Sequence, residues 1–410
     1  MKRIAGVLFA CLLIFAPQMA AFAGTYTLNG DSVTITVPTT SATEANTITG
    51  NGTVTYHADP NTSNAYYAIG GSNLSGMTGT VNLENLRLRV YSQNDLGPTT
   101  GVSYYVKDGA QLWVNGNVGS TTVYLNGYGL AGGDYNAQGA LRFEGTSSLG
   151  GNVILQSDAA ISTFYNTETG ASKTLSAAVD LGSNSLYLGC GPNFDPTSMS
   201  WGTAYWFTDL TVSGKVSGTG KLIVRNTKSI FLTNAANDFT GGVEIQKGTL
   251  SLSNTAVLGG NEVNAVSIGS EGILRVSGGT CSAAKVTGSG TILYGGGASG
   301  YVDVNVNTST WDASEFIGTA VLDHVRLRLV TQKQLGASSV KVSVKDGAQL
   351  WLIESGATPI TADVTIAGMG YGTSNDAQGA IRFEKESKLA GTLTLAADAA
   401  IIRRPERRKT

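Results

Sequence analysis

The chain has 410 residues, of which 54 are glycine and 14% are charged, and its formal net charge is −2. Glycine is about twice as frequent as in an average protein, while charged residues fall below the usual quarter. The absence of a Gly-X-Y period excludes collagen, and the 41% of apolar residues argues against a disordered chain. A nearly neutral chain also lacks the basic surface that nucleic-acid binding needs. The composition therefore favours a glycine-rich β protein.

Residues 1–23 have the anatomy of a secretory signal peptide. Two basic residues precede an apolar run over residues 4–15, and Ala21 and Ala23 are small residues at the −3 and −1 positions. The apolar run is shorter than the roughly 20 residues that a membrane span needs. We therefore expect export of the chain from Gly24 onward. No transmembrane segment is expected after removal of the signal.

Cys190 and Cys281 are the two cysteines of the mature chain, and they lie 91 residues apart. An oxidising compartment permits a disulfide between them, but one widely spaced pair gives no disulfide framework. Two separate buried thiols are the alternative that we favour. The two histidines are also far apart in sequence, so no metal site and no cofactor are predicted.

The most informative feature is an internal duplication with a shift of 238 to 240 residues. Strings of a first repeat, about residues 24–260, are found again in a partial second repeat, about residues 261–402. They are TGNGTVTY at 49–56, LRLRVYSQNDLG at 86–97, YVKDGAQLW at 105–113, NAQGALRFE at 136–144 and GNVILQSDAAI at 151–161. Because no linker separates the copies, the pattern indicates one solenoid over residues 24–402.

Apolar and polar residues alternate within these strings. In the second repeat Val325, Leu327 and Leu329 alternate with Arg326 and Arg328. A period of two places one row inward and the other toward solvent, as in a half-buried strand. Short strands in tandem repeats predict an all-β fold, a right-handed parallel β-helix (β-solenoid) of roughly 16–18 coils. A multi-domain sandwich is the alternative, and no stretch after residue 24 shows a convincing helical period.

Two kinds of break interrupt the alternation. Glu84-Asn85 shifts the phase of the apolar row in TVNLENLRLRV. Asp108-Gly109 and Asp346-Gly347 are predicted turns, in which the aspartate bonds nearby backbone and the glycine takes a positive φ.

Residues 218–260 resemble the autotransporter-associated β-strand repeat. The pattern of that family is a G-x-G-x-L strand, an N-x-[FY]-T-G-G turn, a G-T-L-x-L strand and a Leu-Gly end. The matching residues are Gly218, Gly220, Leu222, Asn237, Phe239, Thr240, Gly241, Gly242, Gly248, Thr249, Leu250, Leu252, Leu258 and Gly259. The resemblance implies a bacterial exported β-helix passenger that is displayed at, or released from, the cell surface, so that the expected location is extracellular or at the cell surface in association with the outer membrane.

Two matching strings carry the best candidates for catalysis. Arg142-Phe143-Glu144 and Arg382-Phe383-Glu384 have Asp134 and Asp376 nearby in sequence. Polysaccharide lyases and glycosidases need paired carboxylates. However, residues two apart on a strand share a face and pair as a surface ladder, and an active site is not expected in both repeats. We favour the ladder and predict no catalytic residue, with a β-helix carbohydrate-active enzyme as the alternative.

An aromatic set surrounds the Gly/Pro-containing loop at 189–202. Its members are Tyr187, Trp201, Tyr205, Trp206 and Phe207. Aromatic faces stack on sugar rings or anchor protein partners, so this loop is a candidate ligand-contact site. The alternative that stays open is that the loop folds back and covers the apolar interior.

Residues 403–410 depart from the repeat and carry five basic residues. A truncated or frameshifted reading frame is favoured over an anion-binding tail, because charge runs at termini are usually only solvated.

Together these patterns predict a secreted, non-catalytic solenoid with a structural or adhesive role at the surface. The expected partners are glycans or other cell-surface and extracellular molecules, without nucleic acid. Self-association stays open.

Overall fold

The computed structural model describes residues 24–37, 42–43, 46–59, 66–69, 72–130, 138–164, 171–192, 207–252, 258–259, 264–281, 285–296, 302–306, 309–353, 358–372 and 378–404. The predicted signal peptide and the end of the basic tail lie outside these residues. The chain divides into two compact units, residues 1–210 and 211–410. Strands make up 62% of the structure and helices 3%, so the all-β prediction is confirmed.

The N-terminal unit consists of parallel strands stacked coil upon coil. Its strands are β1 (Thr25–Thr36), β2 (Ala42–Thr43), β3 (Thr47–His57), β4 (Tyr66–Ala68), β5 (Asn73–Glu84), β6 (Arg87–Val90), β7 (Val102–Val106), β8 (Gln111–Val114), β9 (Asn117–Gly127), β10 (Leu141–Glu144), β11 (Ser147–Phe164), β12 (Lys173–Leu175), β13 (Ala178–Asp180) and β14 (Leu186–Gly189), and β15 (Leu210–Val212) begins at its last residue. β1, β3, β5, β7, β9 and β11 pair in that order, each strand with the next coil's strand and always in parallel.

The C-terminal unit has the same construction. Its strands are β16 (Val216–Ser217), β17 (Leu222–Leu232), β18 (Val243–Leu252), β19 (Ala265–Val276), β20 (Gly279–Cys281), β21 (Lys285–Gly288), β22 (Thr291–Gly295), β23 (Val302–Val306), β24 (Glu315–Phe316), β25 (Thr319–Asp323), β26 (Val325–Leu329), β27 (Lys341–Val344), β28 (Gln349–Leu352), β29 (Asp363–Gly368), β30 (Ile381–Glu384), β31 (Leu393–Ala399) and β32 (Ile401–Arg404). One parallel series runs β22, β25, β27, β29, β31, and a second runs β20, β23, β26, β28, β30, β32.

Each unit is built as a parallel β-solenoid, with about 13 turns in the two units together, which confirms the predicted fold class. The number of coils is smaller than the 16–18 expected. Coil length varies along the chain: the parallel partner of Ser103 is Thr122, only 19 residues later, but other coils are longer. The parallel partner of Thr53 is Thr80, 27 residues later. The partner of Val123 is Val153, 30 residues later.

A continuous inward row of apolar side chains forms the core of the N-terminal unit. Val54, Val81, Tyr104, Val123 and Val153 are partners in successive coils, and all five are fully buried. Burying one such side chain contributes about 1.5–3 kcal/mol. The row that was predicted from the period of two therefore stacks on itself along the solenoid.

The neighbouring coil supplies this burial. Leu155 and Ile161 on β11 are 4% and 0% exposed. Their counterparts in the second repeat, Leu395 and Ile401, are 59% and 47% exposed. Among the described residues no strand stacks on the outer side of β31 and β32, and inward side chains at that position keep contact with solvent.

The predicted breaks in the alternation are real turns. Asn85 has a φ of 58° and its counterpart His324 a φ of 51°, so both residues adopt the left-handed conformation that shifts the row. Gly109 and Gly347 have φ values of 79° and 77°. Gly347 N donates to Asp346 Oδ1 at 3.0 Å, which is the bond expected of an aspartate at a turn.

Two short helical turns occupy equivalent positions in the two repeats. They are α1 (Gln93–Leu96) and a 3₁₀ helix (Gln332–Gln334). In α1, Asp95 Oδ2 accepts from Ser92 N at 3.0 Å, and Gln334 Oε1 accepts from Thr331 N at 2.8 Å in the other helix. The strings SQND and TQKQ are the capping signals that could have identified these turns.

Gln93 in α1 bonds to the next coil. Its Oε1 accepts from the backbone N–H groups of Gly119 and Ser120 at 2.9 and 3.0 Å. Its Nε2 donates to the carbonyl oxygens of Gly97 and Ser120 at 2.8 and 3.0 Å. In the second repeat Gln332 Oε1 likewise accepts from the backbone N–H groups of Thr361 and Ala362 in the next coil, while its Nε2 donates to the carbonyl oxygens of Gly336 and Ala337 in its own turn. We refer to Gln93 and Gln332 as the coil-bridging glutamines.

Three glycines, Gly79, Gly241 and Gly318, hold equivalent corners where neighbouring coils come close. A Cβ added at any of them would lie 2.0–2.1 Å from a backbone carbonyl oxygen of the preceding coil. The residues that carry these oxygens are themselves glycines, Gly52, Gly220 and Gly290. The second glycine of each G-x-G string therefore lies against the glycine of a T-G or I-G pair in the next coil. We call Gly79, Gly241 and Gly318 the corner glycines.

The effect of the corner contact on stability is testable with Gly79→Ala. Gly30 is the matched control, because it also has a positive φ, 88° against 117°, but nothing lies within 4 Å of an added Cβ. Both substitutions carry the cost of alanine at positive φ, and Gly79→Ala adds an overlap with backbone that costs about 1–3 kcal/mol more. We expect a clearly lower unfolding midpoint for Gly79→Ala by circular dichroism in urea. Equal midpoints for the two variants would contradict this account of the corner.

Candidate functional site

The arginine–glutamate pair predicted on one strand face is present in both repeats. Arg142 Nη2 donates to Glu144 Oε2 at 2.9 Å, and Phe143 between them is buried on the inward side. Arg382 and Glu384 form the same pair. The predicted surface location is wrong for the first pair, since its side chains are only 4% and 8% exposed.

Aromatic rings account for this burial. The guanidinium carbon of Arg142 lies 4.2 Å from the ring centroid of Trp113 and 3.9 Å from that of Phe164. On the neighbouring coil, the guanidinium of Arg89 lies 4.3 Å from Trp113 and 4.9 Å from Tyr91. Each desolvated contact of this kind contributes up to about 2 kcal/mol. These five residues form an arginine–aromatic column that crosses successive coils.

The second repeat builds the same column around Trp351. Arg382 and Arg328 lie 4.2 and 5.2 Å from its ring centroid. The sequence analysis did not identify the column, although LRLRV, QLW and LRF follow one another at intervals of about one coil. The duplication of the whole arrangement is typical of a structural element.

Glutamines fix both arginines in place. Arg142 Nη1 donates to Gln138 Oε1 at 2.6 Å, and Arg382 Nη1 donates to Gln378 Oε1 at 2.7 Å. Gln111 Nε2 donates to the carbonyl oxygen of Gly139 at 2.7 Å, and the second repeat has the same bond. The carboxylates of this network therefore serve to hold arginines between coils.

Burial governs the ionisation of the first pair. It lowers the pKa of Arg142 to about 10, against the opposing attraction of Glu144. It also raises the pKa of Glu144, and the positive charge of Arg142 offsets only part of that rise. A raised carboxyl pKa is a property of catalytic acids, but Glu144 is covered and paired with an arginine on its own strand.

Other candidates from the sequence are placed only in part. Asp134 and Asp376 lie outside the described residues. Cys190 is fully buried, and the side chain of Cys281 lies outside the described part, so the disulfide alternative stays untested. No group of three or more His, Cys, Asp or Glu that could hold a metal occurs among the described residues. The helices of the described segments are all too short or too polar to cross a membrane.

Only two of the five aromatic residues predicted around the loop, Tyr187 and Phe207, lie in the described part of the chain. Trp201, Tyr205 and Trp206 fall outside the described residues. Phe207 is only 4% exposed. A buried position for this residue agrees with the alternative in which the loop folds back over the apolar interior. Tyr187 is half-buried on β14, with its ring edge-on to that of Tyr128 at a centroid distance of 5.4 Å. The loop as a ligand site stays a prediction, while Tyr187 lies beside a groove that the sequence analysis did not identify.

This groove is open and has a volume of about 700 Å³. Its lining residues are Lys107, Asp108, Asn126, Gly127, Tyr128, Gln156, Ser157 and Asp158. Next to it, Tyr105 on β7 and Tyr124 on β9 are register partners, and their rings stack 4.4 Å apart with planes 9° from parallel. Lys107 Nζ lies 5.7 Å from the ring of Tyr105. We call the lining residues together with Tyr105, Tyr124 and Tyr187 the tyrosine groove.

Backbone and amide contacts hold the groove together. Asn126 Nδ2 donates to Gln156 Oε1 and to the carbonyl oxygen of Val106, both at 3.1 Å. Gly127 leaves room for a carboxylate, because a Cβ at this position would lie 1.9 Å from Asp108 Oδ1. Asp158 Oδ1 accepts from the backbone N–H of Ser185 at 2.7 Å. The groove thus draws its polar groups from several coils.

Its electrostatics keep the tyrosine neutral. Burial raises the pKa of Tyr128, and Tyr187, Asp158 and Asp108 raise it further. A neutral phenol both donates and accepts hydrogen bonds. Aromatic rings, amides and carboxylates therefore lie together on one open surface.

Over 134 residues the chain is 30% identical to the adhesin BmaC autotransporter of Brucella suis biovar 1 (strain 1330). The matched stretch is 32% of this chain and 4% of that relative's length. No protein-family model matches the chain, and no solved structure matches it significantly. The similarity and the parallel β-solenoid fit an autotransporter passenger-like protein with a surface or extracellular location.

The buried carboxyl of Glu144 should make the stability of the fold depend on pH, and Glu144→Gln should remove that dependence. Because burial raises the folded-state pKa of Glu144 above 4.5, its protonated form stabilises the fold at low pH, and this contribution is lost as pH rises through the folded pKa. The unfolding midpoint of the wild type relative to Glu144→Gln should therefore fall as the pH is raised above about 4.5.

Glu244→Gln is a control of opposite sign. A hydrogen bond from Gln246 lowers the pKa of Glu244 below 4.5. The contribution of this carboxylate is present above that value and is lost as pH falls through the folded pKa. The same pH dependence for both variants in urea titrations between pH 3 and 8 would contradict the assignment.

Proposed function

We propose that this chain is an exported, non-catalytic solenoid segment of a surface passenger, with an adhesive role. The observation that carries the proposal is the parallel β-solenoid together with the similarity to an autotransporter adhesin. Export by residues 1–23 is part of the proposal. So is a contact with glycans or other molecules of a neighbouring surface.

The outward rows of the solenoid support a contact function. Thr53, Thr80, Ser103 and Thr122 are partners in successive coils and form a half-buried row of hydroxyl groups. Such a row presents the same hydrogen-bonding group at intervals of about 4.8 Å. Repeated polar groups on a stacked scaffold suit many weak contacts with an extended partner, because linked contacts add to avidity.

The catalytic alternative rests on a different pair of carboxylates from the one that the sequence suggested. Glu144 and Glu384 are each bound by an arginine on their own strand. Asp108 and Asp158, in contrast, are exposed and line the same groove, and two carboxylates across a groove are what a glycosidase needs. A β-helix carbohydrate-active enzyme is therefore the second candidate.

Bead attachment tests the adhesive role. Beads coated with the folded chain from Gly24 onward should attach to epithelial cell layers and to polysaccharide-coated surfaces several-fold more often under flow than beads coated with the heat-unfolded chain. Equal attachment of the two bead types would refute an adhesive role.

A reducing-end assay on the same polysaccharides tests catalysis. We expect no release of reducing ends. Release that is abolished by Asp108→Asn, Asp158→Asn, Glu144→Gln or Glu384→Gln would establish the enzyme in place of the adhesin.

A further inference from the structure

We infer that the tyrosine groove binds a neutral oligosaccharide, an inference that rests on the proposed adhesive function. Sugar rings have apolar C–H faces and hydroxyl edges, and a site for them combines aromatic faces with hydrogen-bonding groups. The half-buried rings of Tyr105 and Tyr124 cover each other's inner faces, and their outer faces and edges form the aromatic part of the groove. Gln156 and Asp158, both exposed, supply oxygens that accept from hydroxyl groups.

The charge of the groove selects against anionic sugars. Asp108 and Asp158 carry two negative charges and Lys107 one positive charge, so the lining is negative overall. Lys107 also lies near the ring of Tyr105, at 5.7 Å from its centroid. A sulfated or carboxylated saccharide would be placed against like charges, which costs binding free energy. An uncharged saccharide meets the same carboxylates as hydrogen-bond acceptors.

The length of the groove favours a chain of sugars over a single one. Its residues come from β7, β9, β11 and β14, which belong to four successive coils. Three steps between coils correspond to about 14 Å along the solenoid.

The second repeat has the same turn as the groove but lacks most of the side chains that line the groove. It keeps the turn, in which a Cβ at Gly368 would lie 1.8 Å from Asp346 Oδ1, as Gly127 does with Asp108. Ser343 and Thr365 are register partners there, in place of the stacked tyrosines. The retained charges are Lys345, Asp346 and Asp398, and the other replacements are Met369 for Tyr128, Ala367 for Asn126 and Ala396 for Gln156. The coils of the second repeat therefore form without these aromatic and amide groups, so the backbone of the turn does not require them.

This comparison supplies substitutions that the fold already accepts. The test variant is Tyr105→Ser, Tyr124→Thr and Tyr128→Met in one chain, each the residue of the second repeat. Tyr91→Ser is the matched control, because Tyr91 is a 37% exposed tyrosine outside the groove. The probes are maltohexaose, cellohexaose and chitohexaose as neutral chains, with a heparin hexasaccharide and hexagalacturonate as anionic ones.

Isothermal titration calorimetry should show binding of at least one neutral probe to the full chain, and weaker or no binding of the anionic probes. The triple variant should lose at least tenfold in affinity, about 1.4 kcal/mol, while Tyr91→Ser binds as the wild type does. Circular dichroism checks that the triple variant is folded, and Tyr124→Thr alone replaces it otherwise.

Failure of all three neutral probes to bind, tighter binding of an anionic probe, or unchanged affinity in the triple variant would overturn the inference. The outcome is distinguishable from that of the proposed function. Bead attachment that persists without any saccharide binding removes the groove assignment alone. Saccharide binding without bead attachment removes the adhesive role alone.

Discussion

The close, in-register contact between successive coils is the constraint on which the rest of the structure depends. Parallel strands about 4.8 Å apart bury each inward side chain under its counterpart, so that Val81 is fully buried between Val54 and Tyr104. The same spacing brings backbone against backbone where the chain turns, and the corner glycines leave no room for a side chain there. The high glycine content is thus a consequence of stacking.

The features that depend on neighbours along the chain were predictable from sequence. Alternation located the inward rows, the break at Glu84-Asn85 marked a residue at positive φ, and Asp-Gly strings marked turns. The features that depend on contacts between residues of different coils could not be predicted from the sequence. Trp113 contacts Arg89 and Arg142, which are separated from it by a coil length that varies along the chain. The burial of the arginine–glutamate pair could not be predicted without knowing which residues of successive coils lie side by side.

The candidate site shows the same limit. Tyr187 was selected from the sequence because it neighbours an aromatic loop, yet its ring contacts that of Tyr128, on another coil. Tyr105 and Tyr124 stack because their strands are in register, and no local pattern reveals that register. The duplication was the most useful guide, because it distinguishes what the two repeats share from what they do not. The arginine–aromatic column and the coil-bridging glutamines occur in both, whereas the stacked tyrosines occur in the first alone.

The coil-bridging glutamines also have a mechanical consequence. Gln93 makes one hydrogen bond within its own turn and three to the backbone of the next coil, and Gln332 makes two to the coil that follows it. A tensile load that peels one coil from its neighbour must break these bonds together with the strand ladder, so the load is shared across the seam. A segment held under drag would unravel first where such a cross-link is missing.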